Sequence, residues 1–323
     1  MSWWQEQGPP RELDLVGIGQ SSIDHVGLLD GLPAFAGKEP LVAYECQPGG
    51  QISTAVLAAS RLGLRAAFVG TVGDDEASLA VLAPLRAADI DVEGVRVRVG
   101  TPTQVALILV DRESGERTVV WFRDPRLRLS PGDLRREQIE RGRALLLDAG
   151  DPEAATWAAK VAREARIPVI LDADTPMPGI DALLATVDFP IVSREFAEQH
   201  FGSVRGALAG LEAAGARLPV VTLGKRGALA SSDGKEIRSP GFAVAAHDTT
   251  GAGDAFHAAF VWGLLEGFSP EEILRAANAA AALNCRALGA QGGLATREQL
   301  LTFLAQERPR EWREPEAVDR RSV

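Results

Sequence analysis

The chain has 323 residues, 46% hydrophobic and 24% charged, which suffices for one large α/β core. Its formal net charge is -10 and it has no Lys/Arg-rich run, so we expect no nucleic acid as a partner. No signal-type start and no apolar run of about 18 residues occurs, which predicts a cytoplasmic protein without a membrane partner. The widely separated Cys46 and Cys285 predict neither a disulfide framework nor a thiolate zinc site.

The two ends of the chain are polar or rich in Trp and Pro. Residues 1–12 are predicted to be a flexible arm and residues 309–323 a polar tail, which leaves one domain over residues 13–308. Within it, strand patterns alternate with helical ones, such as the helix Ile52–Leu62. The strand patterns are Leu13–Gly19, Ala66–Gly73, Ala144–Ala149, Val169–Asp172, Pro190–Ser193 and Pro219–Leu223. This alternation predicts a doubly wound, mostly parallel sheet with helices on both faces.

One region departs from this alternation. Val95–Val99, Gln104–Val110 and Arg117–Phe122 are three consecutive strand patterns with no helix between them. With Leu41–Glu45 they predict a small antiparallel sheet, whose strands come from about residues 37–48 and 94–124. Beside the open end of a parallel sheet, such a sheet would be a lid that excludes water. An ordinary extension of the main sheet is the alternative.

The segment from Asp248 to Phe256 has the sequence Asp-Thr-Thr-Gly-Ala-Gly-Asp-Ala-Phe and contains candidate residues for binding an anion and accepting a proton. It follows the strand pattern Phe242–Ala246 and opens a helix, so its amides can converge on an anion favoured by the helix dipole. The residues of this anion-binding turn are Gly251, Ala252 and Gly253. Asp254 beside it is placed to accept a hydroxyl proton during phosphoryl transfer. A simple helix-capping role for Asp254 is the alternative.

The same segment resembles the C-terminal signature of the ribokinase-like (PfkB) carbohydrate kinases. Gly49-Gly50, residues 58–63 and residues 68–75 resemble the N-terminal signature of that family, and the resemblance extends from about residue 13 to 305. It implies a ribokinase-like fold with a β lid over the sugar. It also implies ATP-dependent phosphorylation of a hydroxyl group of a sugar-like small molecule, with ATP and Mg²⁺. We further expect a homodimer that forms through the lid.

The resemblance implies roles for individual residues. The carboxylate of Asp24 would bind sugar hydroxyls, and the backbone of Gly49 and Gly50 would hold the substrate. The full substrate set is Asp24, Gly49, Gly50, Gln51, Thr54, Arg123 and Asp148. The nucleotide set is Ser193, Thr222, Gly224, Lys225, Gly227 and Asn278. Some family members hold a monovalent cation such as K⁺, and the matching positions are Asp248, Thr250, Asn284 and Gly289.

The chain also departs from the family pattern. Thr54 stands where many members have Asn. Ser193-Arg194-Glu195-Phe196 replaces the Asn-x-x-Glu that helps to organise magnesium, so the resemblance does not say how Mg²⁺ is placed. Ser193 and residues 289–293 are loosely similar to ketohexokinase-like members, and the Asp248–Asp254 segment to sulfofructose kinase-like ones.

Several alternatives stay open at the level of sequence. Arg123 could contact a phosphate or sulfonate of the substrate, or be a solvated lid charge. Gly17-Ile18-Gly19 lacks the third glycine of a dinucleotide fingerprint, since Ser22 stands there, and no P-loop motif occurs. A catalytically feeble sugar- or nucleotide-sensing relative is a second hypothesis, and a nucleoside kinase of the same fold is a third. The acceptor could be a ketohexose, sulfosugar, pentose, sugar acid or nucleoside.

Overall fold

The computed structural model describes residues 10–314 of the chain. The predicted flexible arm and polar tail therefore lie largely outside the described residues. Of their described parts, Glu12 forms an ion pair with Arg141, and Pro309 forms an isolated β-bridge with Phe242. Among the described residues, no helix has the length and apolar character needed to cross a membrane.

Strands and helices alternate through most of the described range. The strands are β1 (Leu13–Ile18), β2 (Ser22–Leu29), β3 (Ala43–Gly49), β4 (Ala66–Val69), β5 (Thr71–Gly73), β6 (Arg96–Arg98), β7 (Val105–Asp111), β8 (Arg117–Phe122), β9 (Gly142–Asp148), β10 (Val169–Ala173), β11 (Phe189–Ser193), β12 (Val220–Thr222), β13 (Gly227–Ser232) and β14 (Lys235–Pro240). The helices are α1 (Gln51–Arg61), α2 (Glu76–Ala87), α3 (Arg136–Glu140), α4 (Pro152–Glu164), α5 (Ile180–Leu184), α6 (Arg194–Phe201), α7 (Val204–Ala213), α8 (Ala252–Glu266), α9 (Pro270–Asn284) and α10 (Arg297–Gln306). Short 3-10 helices occur at Pro125–Leu127, Pro131–Asp133 and Gly224–Arg226.

The main sheet has eight strands in the order β14-β13-β12-β11-β10-β9-β1-β4. The six strands from β12 to β4 pair in parallel, and their apolar runs, such as Val169–Ala173, are buried on both sides. The hairpin β13–β14 adds an antiparallel edge. This confirms the predicted doubly wound, mostly parallel sheet. The hairpin itself was not predicted, although Asp233-Gly234 between its strands is a strong turn signal.

Helices cover both faces of the main sheet and bury two hydrophobic cores. One core combines α1, α2, α8, α9 and α10 with the sheet, and its largest fully buried side chains include Trp262 and Phe68. The other core combines α3 to α7 with the opposite face. Because α1 and α8 pack against each other on the same face, the N-terminus of each helix is positioned by the same core.

A separate small sheet has the strand order β3-β2-β7-β8. Its strands Ala43–Gly49, Val105–Asp111 and Arg117–Phe122 agree with the predicted lid. Two details differ from the prediction. β2, which was not predicted, is a central strand that pairs with β3 in antiparallel and with β7 in parallel, so the small sheet is mixed rather than antiparallel. The segment predicted as a strand over Val95–Val99 gives β6, which pairs in parallel with β5 outside the small sheet.

Two other strand predictions change for reasons visible in the backbone. The predicted strand Ala66–Gly73 is divided into β4 and β5 at Gly70, where a Cβ atom would overlap the ring of Phe68 and approach the carbonyl of Gly19. The strand predicted over Phe242–Ala246 is not formed beyond the single bridge of Phe242. The backbone that follows bonds to the end of α9 instead, because the amides of His247 and Asp248 both donate to the carbonyl of Cys285.

Arg123 and Asp151 form a buried ion pair where β8 leaves the small sheet. The two Arg123 Nη atoms lie 3.1 and 2.6 Å from the Asp151 carboxylate oxygens, and the side chains are only 9% and 8% exposed. Arg123 also donates to the carbonyl of Leu127, and Asp151 accepts the amide of Leu129. The guanidinium of Arg123 therefore joins the small sheet to the start of α4, and its contact with a substrate anion stays a prediction.

We predict that Arg123→Ala lowers the free energy of unfolding by about 3 kcal/mol, because it leaves a buried carboxylate without its charge partner. The measurement is urea unfolding followed by circular dichroism. Arg126→Ala is the matched control, since Arg126 is 57% exposed in its ion pair with Asp124 and its loss should cost less than about 1 kcal/mol. Equal losses in the two variants would show that burial does not strengthen the Arg123 pair.

Candidate active site

The carboxyl ends of the parallel strands meet at one edge of the main sheet. Asp148 is the last residue of β9, and Asp172 is the second-last residue of β10. The chain order changes direction between β1 and β9, because β1 lies between β4 and β9. Ligands of open α/β sheets bind at such a position. The small sheet begins at the same place, since β2 follows β1 after three residues.

The predicted anion-binding turn is formed at the start of α8. Gly251 has φ 75°, a left-handed conformation, and a Cβ atom there would overlap the backbone of Ala290. Gly253 lies in the first turn of the helix and has open space where its Cβ would be. No side chain caps α8, so the amides of its first turn remain available to an anion.

Asp254 lies in the first turn of α8 and is partly buried. Among the described residues its carboxylate has no hydrogen bond to a backbone amide that affects its pKa, which argues against the capping alternative. Burial raises the pKa of Asp254 well above its usual range, and the charges of Asp172, Asp24 and Asp174 raise it further, while Arg117 lowers it. A carboxyl group with a raised pKa beside an anion site is suited to accept a proton.

Asp24 lies on β2 and faces the same region. It is buried and accepts a hydrogen bond of 2.6 Å from the Ser22 hydroxyl. A Cβ atom on Gly49 would overlap the Asp24 carboxylate, so the glycine allows the two strands to bring this group close to the backbone. Burial raises the pKa of Asp24 to about 6, and the charge of Asp248 adds to the increase, while Ser22 and His25 oppose it.

Helix α1 also begins on a glycine without a side-chain cap. Gly50 has φ 93°, and a Cβ atom there would overlap the backbone of Ser21. The next residue, Gln51, donates from Nε2 to the Asp172 carboxylate at 3.3 Å. Thr54 is fully buried in the same helix, 3.4 Å from the side-chain nitrogen of Gln291. The predicted substrate residues Gly49, Gly50, Gln51 and Thr54 are therefore together at one helix start.

Asp148 has a different environment from the one predicted. Its two carboxylate oxygens accept the backbone amides of Gln20 at 2.6 Å and Gly150 at 2.9 Å. Burial raises the pKa of Asp148 to about 7 despite these two hydrogen bonds. The side chain thus fixes the connection from β1 to β2, and its contact with a substrate stays a prediction.

Two residues near the turn were not predicted. Asp172 is buried at the end of β10, and burial raises its pKa well above its usual range. His257 in α8 bonds from Nδ1 to the Gly253 carbonyl at 2.6 Å, and its Nε2 lies 3.6 Å from Asp172. Burial lowers the pKa of His257 to about 4, so this contact joins a neutral imidazole to the carboxyl group. An acidic residue at a strand end was the available sequence signal for Asp172.

The predicted nucleotide residues lie towards the β12–β14 edge of the sheet. Thr222 ends β12, followed by Gly224 with φ 57° and the exposed Lys225. Gly227 has φ 101°, and a Cβ atom there would overlap the Ser239 carbonyl. Asn278 is buried and donates from Nδ2 to that carbonyl and to the Ser239 hydroxyl. Its amide group therefore connects α9 to β14.

Ser193 caps α6 by accepting the amide of Phe196 at 3.0 Å, and its hydroxyl donates to the carbonyl of Asp174 at 3.0 Å. The hydroxyl is thus occupied by backbone partners. Glu195, one residue out of register with the family's glutamate, is exposed on the first turn of α6. The backbone of Asp174 is thereby held next to this altered motif.

The residues predicted for a monovalent cation surround the base of the anion-binding turn. Asp248 is fully buried and accepts the Thr250 amide at 2.8 Å and the Gly289 amide at 2.7 Å. Asn284 donates from Nδ2 to the carbonyls of Thr250 and Ala290, while its buried Oδ1 has no hydrogen-bond partner among the described residues. Gly289 contributes its amide to Asp248.

Comparisons with known proteins agree with this geometry. The pfkB family carbohydrate kinase profile matches residues 12–297. The chain is 32% identical to a ribokinase of Bacillus subtilis, over 89% of this chain and 98% of that protein. It is 28% identical to a probable fructokinase-3 of Arabidopsis thaliana, over 92% and 93% of the two chains.

Solved structures of ribokinases are similar to this chain over most of its length. A ribokinase of Thermotoga maritima superposes with a TM-score of 0.77 at 26% identity, over 91% of this chain and all of that one. An Arabidopsis thaliana ribokinase complexed with ribose and ATP superposes with a TM-score of 0.76 at 25% identity, over 90% and 98% of the chains.

We predict a pH-dependent stability contribution from Asp24. Because its folded-state pKa is raised from 3.8 to about 6, the folded protein binds more protons than the unfolded one between about pH 4 and 6, and this contribution to stability is lost as the pH rises. Asp24→Asn removes it. When both proteins are unfolded by urea at pH 4 and at pH 7.5, the stability of the variant relative to the wild type should rise by about 2.5 kcal/mol. An unchanged difference would contradict the buried, titrating carboxyl group.

Proposed function

Because the chain belongs to the pfkB family of carbohydrate kinases, we propose that it transfers the γ-phosphoryl group of ATP to a hydroxyl group of a sugar or sugar-like molecule. One observation carries the proposal. The uncapped start of α8 presents amides to an anion, and the Asp254 carboxyl group stands in that same helical turn. An anion site and a proton acceptor side by side are what phosphoryl transfer to an alcohol requires.

In the proposed reaction, Asp24 accepts hydrogen bonds from sugar hydroxyls and orients the acceptor. Asp254 takes the proton of the reacting hydroxyl as its oxygen attacks the γ-phosphorus, and ADP leaves with the electron pair of the broken bond. The amides at Gly251–Gly253 stabilise the negative charge on the phosphoryl oxygens. Asp254 with a raised pKa is a stronger base than an ordinary carboxylate.

Most of the similar proteins are named for unphosphorylated sugars, and one is named an ATP-dependent ribose-1-phosphate kinase. Two of the similar proteins are a ribokinase and a probable fructokinase, so we propose ribose or fructose as the first acceptors to test. The Arg123 ion pair argues against the sulfosugar alternative, because that guanidinium is already satisfied by Asp151. Retention of both Asp254 and its turn argues against a catalytically feeble sensing relative.

Mg²⁺ usually takes one or two protein carboxylates together with phosphate oxygens and water. The residues present fit such an ion: Asp174 lies beside the altered Ser193 motif, and its charge raises the pKa of both Asp172 and Asp254. We propose that Asp174 holds Mg²⁺ in place of the family's glutamate. When bound, the ion would neutralise charge on the ATP phosphates.

We also propose that K⁺ binds near Asn284. Its unpartnered buried Oδ1 and the nearby carbonyls of Thr250 and Ala290 are the oxygen ligands that such an ion takes. By neutralising the buried Asp248 nearby, the ion would support the anion-binding turn. Turnover in potassium chloride should exceed turnover in choline chloride at equal ionic strength, and equal rates would refute the site.

The outer face of the small sheet fits a second copy of the chain. Strand register places Tyr44, Leu107, Val120 and Phe122, all exposed, on the face opposite Asp24. A contiguous exposed apolar face of this kind marks an interface. We propose a homodimer through this face, and expect Val120→Glu to shift the sedimentation coefficient to that of a monomer. Val99→Glu, at an exposed site elsewhere, is the control, and a monomeric wild type would contradict the proposal.

We predict that Asp254→Asn lowers turnover by about 10²- to 10⁴-fold while ATP affinity stays within a few-fold of the wild type. Asparagine keeps the size of the side chain but cannot take the hydroxyl proton. The measurement is ADP release with a panel of sugars, beside a calorimetric ATP titration of the same variant. Turnover near that of the wild type would show that Asp254 is not the base, and a wild type inactive on every sugar would refute the function.

A further inference from the structure

The tip of the β7–β8 hairpin contacts the turn that precedes α8. The amide and the hydroxyl of Thr249 both donate to the carbonyl of Gly115 at 3.1 Å. A Cβ atom on Gly115 would lie 3.1 Å from the carbonyl of Ala246, so the two segments are in close contact. The small sheet is therefore attached directly to the anion-binding turn.

Arg117 extends from this hairpin towards the same turn. Its Nη1 donates to the Thr249 hydroxyl at 2.8 Å. In the small sheet, Arg117 pairs with Val110, which pairs with Leu28 on β2. Leu28 is four residues after Asp24 on that strand, and side chains alternate between the two faces, so Arg117 is on the same face of the sheet as Asp24. The described residues provide no other hydrogen-bond partner for its guanidinium, which leaves most of its N–H donors for a ligand.

The carboxylates around Asp254 favour a cation at this place. Asp172, Asp24 and Asp174 all raise the pKa of Asp254, whereas Arg117 lowers it. A group of carboxylates repels a triphosphate and the charge that develops during its transfer. Arg117 offsets this repulsion where the amides of α8 receive the phosphoryl group.

Resting on the function proposed above, we propose that Arg117 is a catalytic residue whose guanidinium contacts the oxygens of the phosphoryl group in transit. As the acceptor oxygen bonds to the γ-phosphorus, the bond from that phosphorus to the β-phosphate oxygen breaks and its electron pair leaves with ADP. The proton of the acceptor hydroxyl goes to Asp254. Arg117 exchanges no proton and stabilises the transferring group by charge and hydrogen bonds.

A purely structural alternative is that Arg117 serves only to hold Thr249. The catalytic and the structural role predict different activities for variants that keep either the hydrogen bond to Thr249 or the positive charge. Arg117→Gln keeps a donor for the Thr249 hydroxyl but removes the charge, whereas Arg117→Lys keeps the charge. Small guanidinium ions added to Arg117→Ala can replace the charged group but cannot re-attach the hairpin to the turn.

The test compares the steady-state rates of Arg117→Ala, Arg117→Gln and Arg117→Lys with a sugar that the wild type phosphorylates. We expect kcat to fall by about 10³-fold for Ala and Gln and less for Lys, with ATP affinity within about 3-fold. Added guanidinium chloride should raise the rate of Arg117→Ala at least several-fold over sodium chloride. Arg112→Ala is the control, because Arg112 on the same hairpin forms an exposed ion pair with Asp30 and should keep the wild-type kcat.

Two outcomes would overturn the assignment: a kcat of Arg117→Ala within about 5-fold of the wild type, or a rate restored fully by Gln and unaffected by guanidinium. In both cases the wild type still phosphorylates the sugar, so the proposed function stands. A wild type that turns over no sugar would refute the proposed function and the role of Arg117 together.

Discussion

The uncapped N-terminus of α8 is the constraint on which the site depends. A helix start leaves backbone amides without partners, and α2, α6, α7, α9 and α10 satisfy theirs with a side-chain cap. α8 begins on Gly251 and α1 on Gly50, both with positive φ and neither with a side-chain cap. The core that packs α1 against α8 therefore brings two unsatisfied helix starts to one place, where carboxylates from three strands and a helix surround them.

Much of this architecture could be predicted from the sequence because its signals are local. The glycine spacing around Gly251, the apolar runs of the parallel strands and the helix over residues 52–62 each depend on a few neighbouring residues. The strand β2 was missed because Ser22, Asp24 and His25 interrupt its apolar pattern. Its formation depends on pairing with both β3 and β7, which are distant in sequence.

The roles of single charged residues were harder to predict than the elements that carry them. Arg123 and Arg117 lie on or beside the same strand, six residues apart, and nothing local distinguishes a buried ion pair from a free guanidinium. Arg123 forms its ion pair with Asp151, which precedes α4. Arg117 donates a hydrogen bond to Thr249, which precedes α8. Such partners are set by the tertiary fold. Asp148 was placed at the correct strand end, but one of its two amide partners, Gln20, comes from backbone that only the folded chain brings near.

The attachment of the β7–β8 hairpin at Gly115 and Thr249 limits how this site can diversify. The loop from Arg112 to Glu116 is an exposed hairpin connection, of the kind that usually tolerates insertions. Here its buried glycine carries the carbonyl that two groups of Thr249 share, so a longer loop would release the turn as well as the loop itself. Transplanting the hairpin between related proteins therefore requires exchanging the matching turn with it.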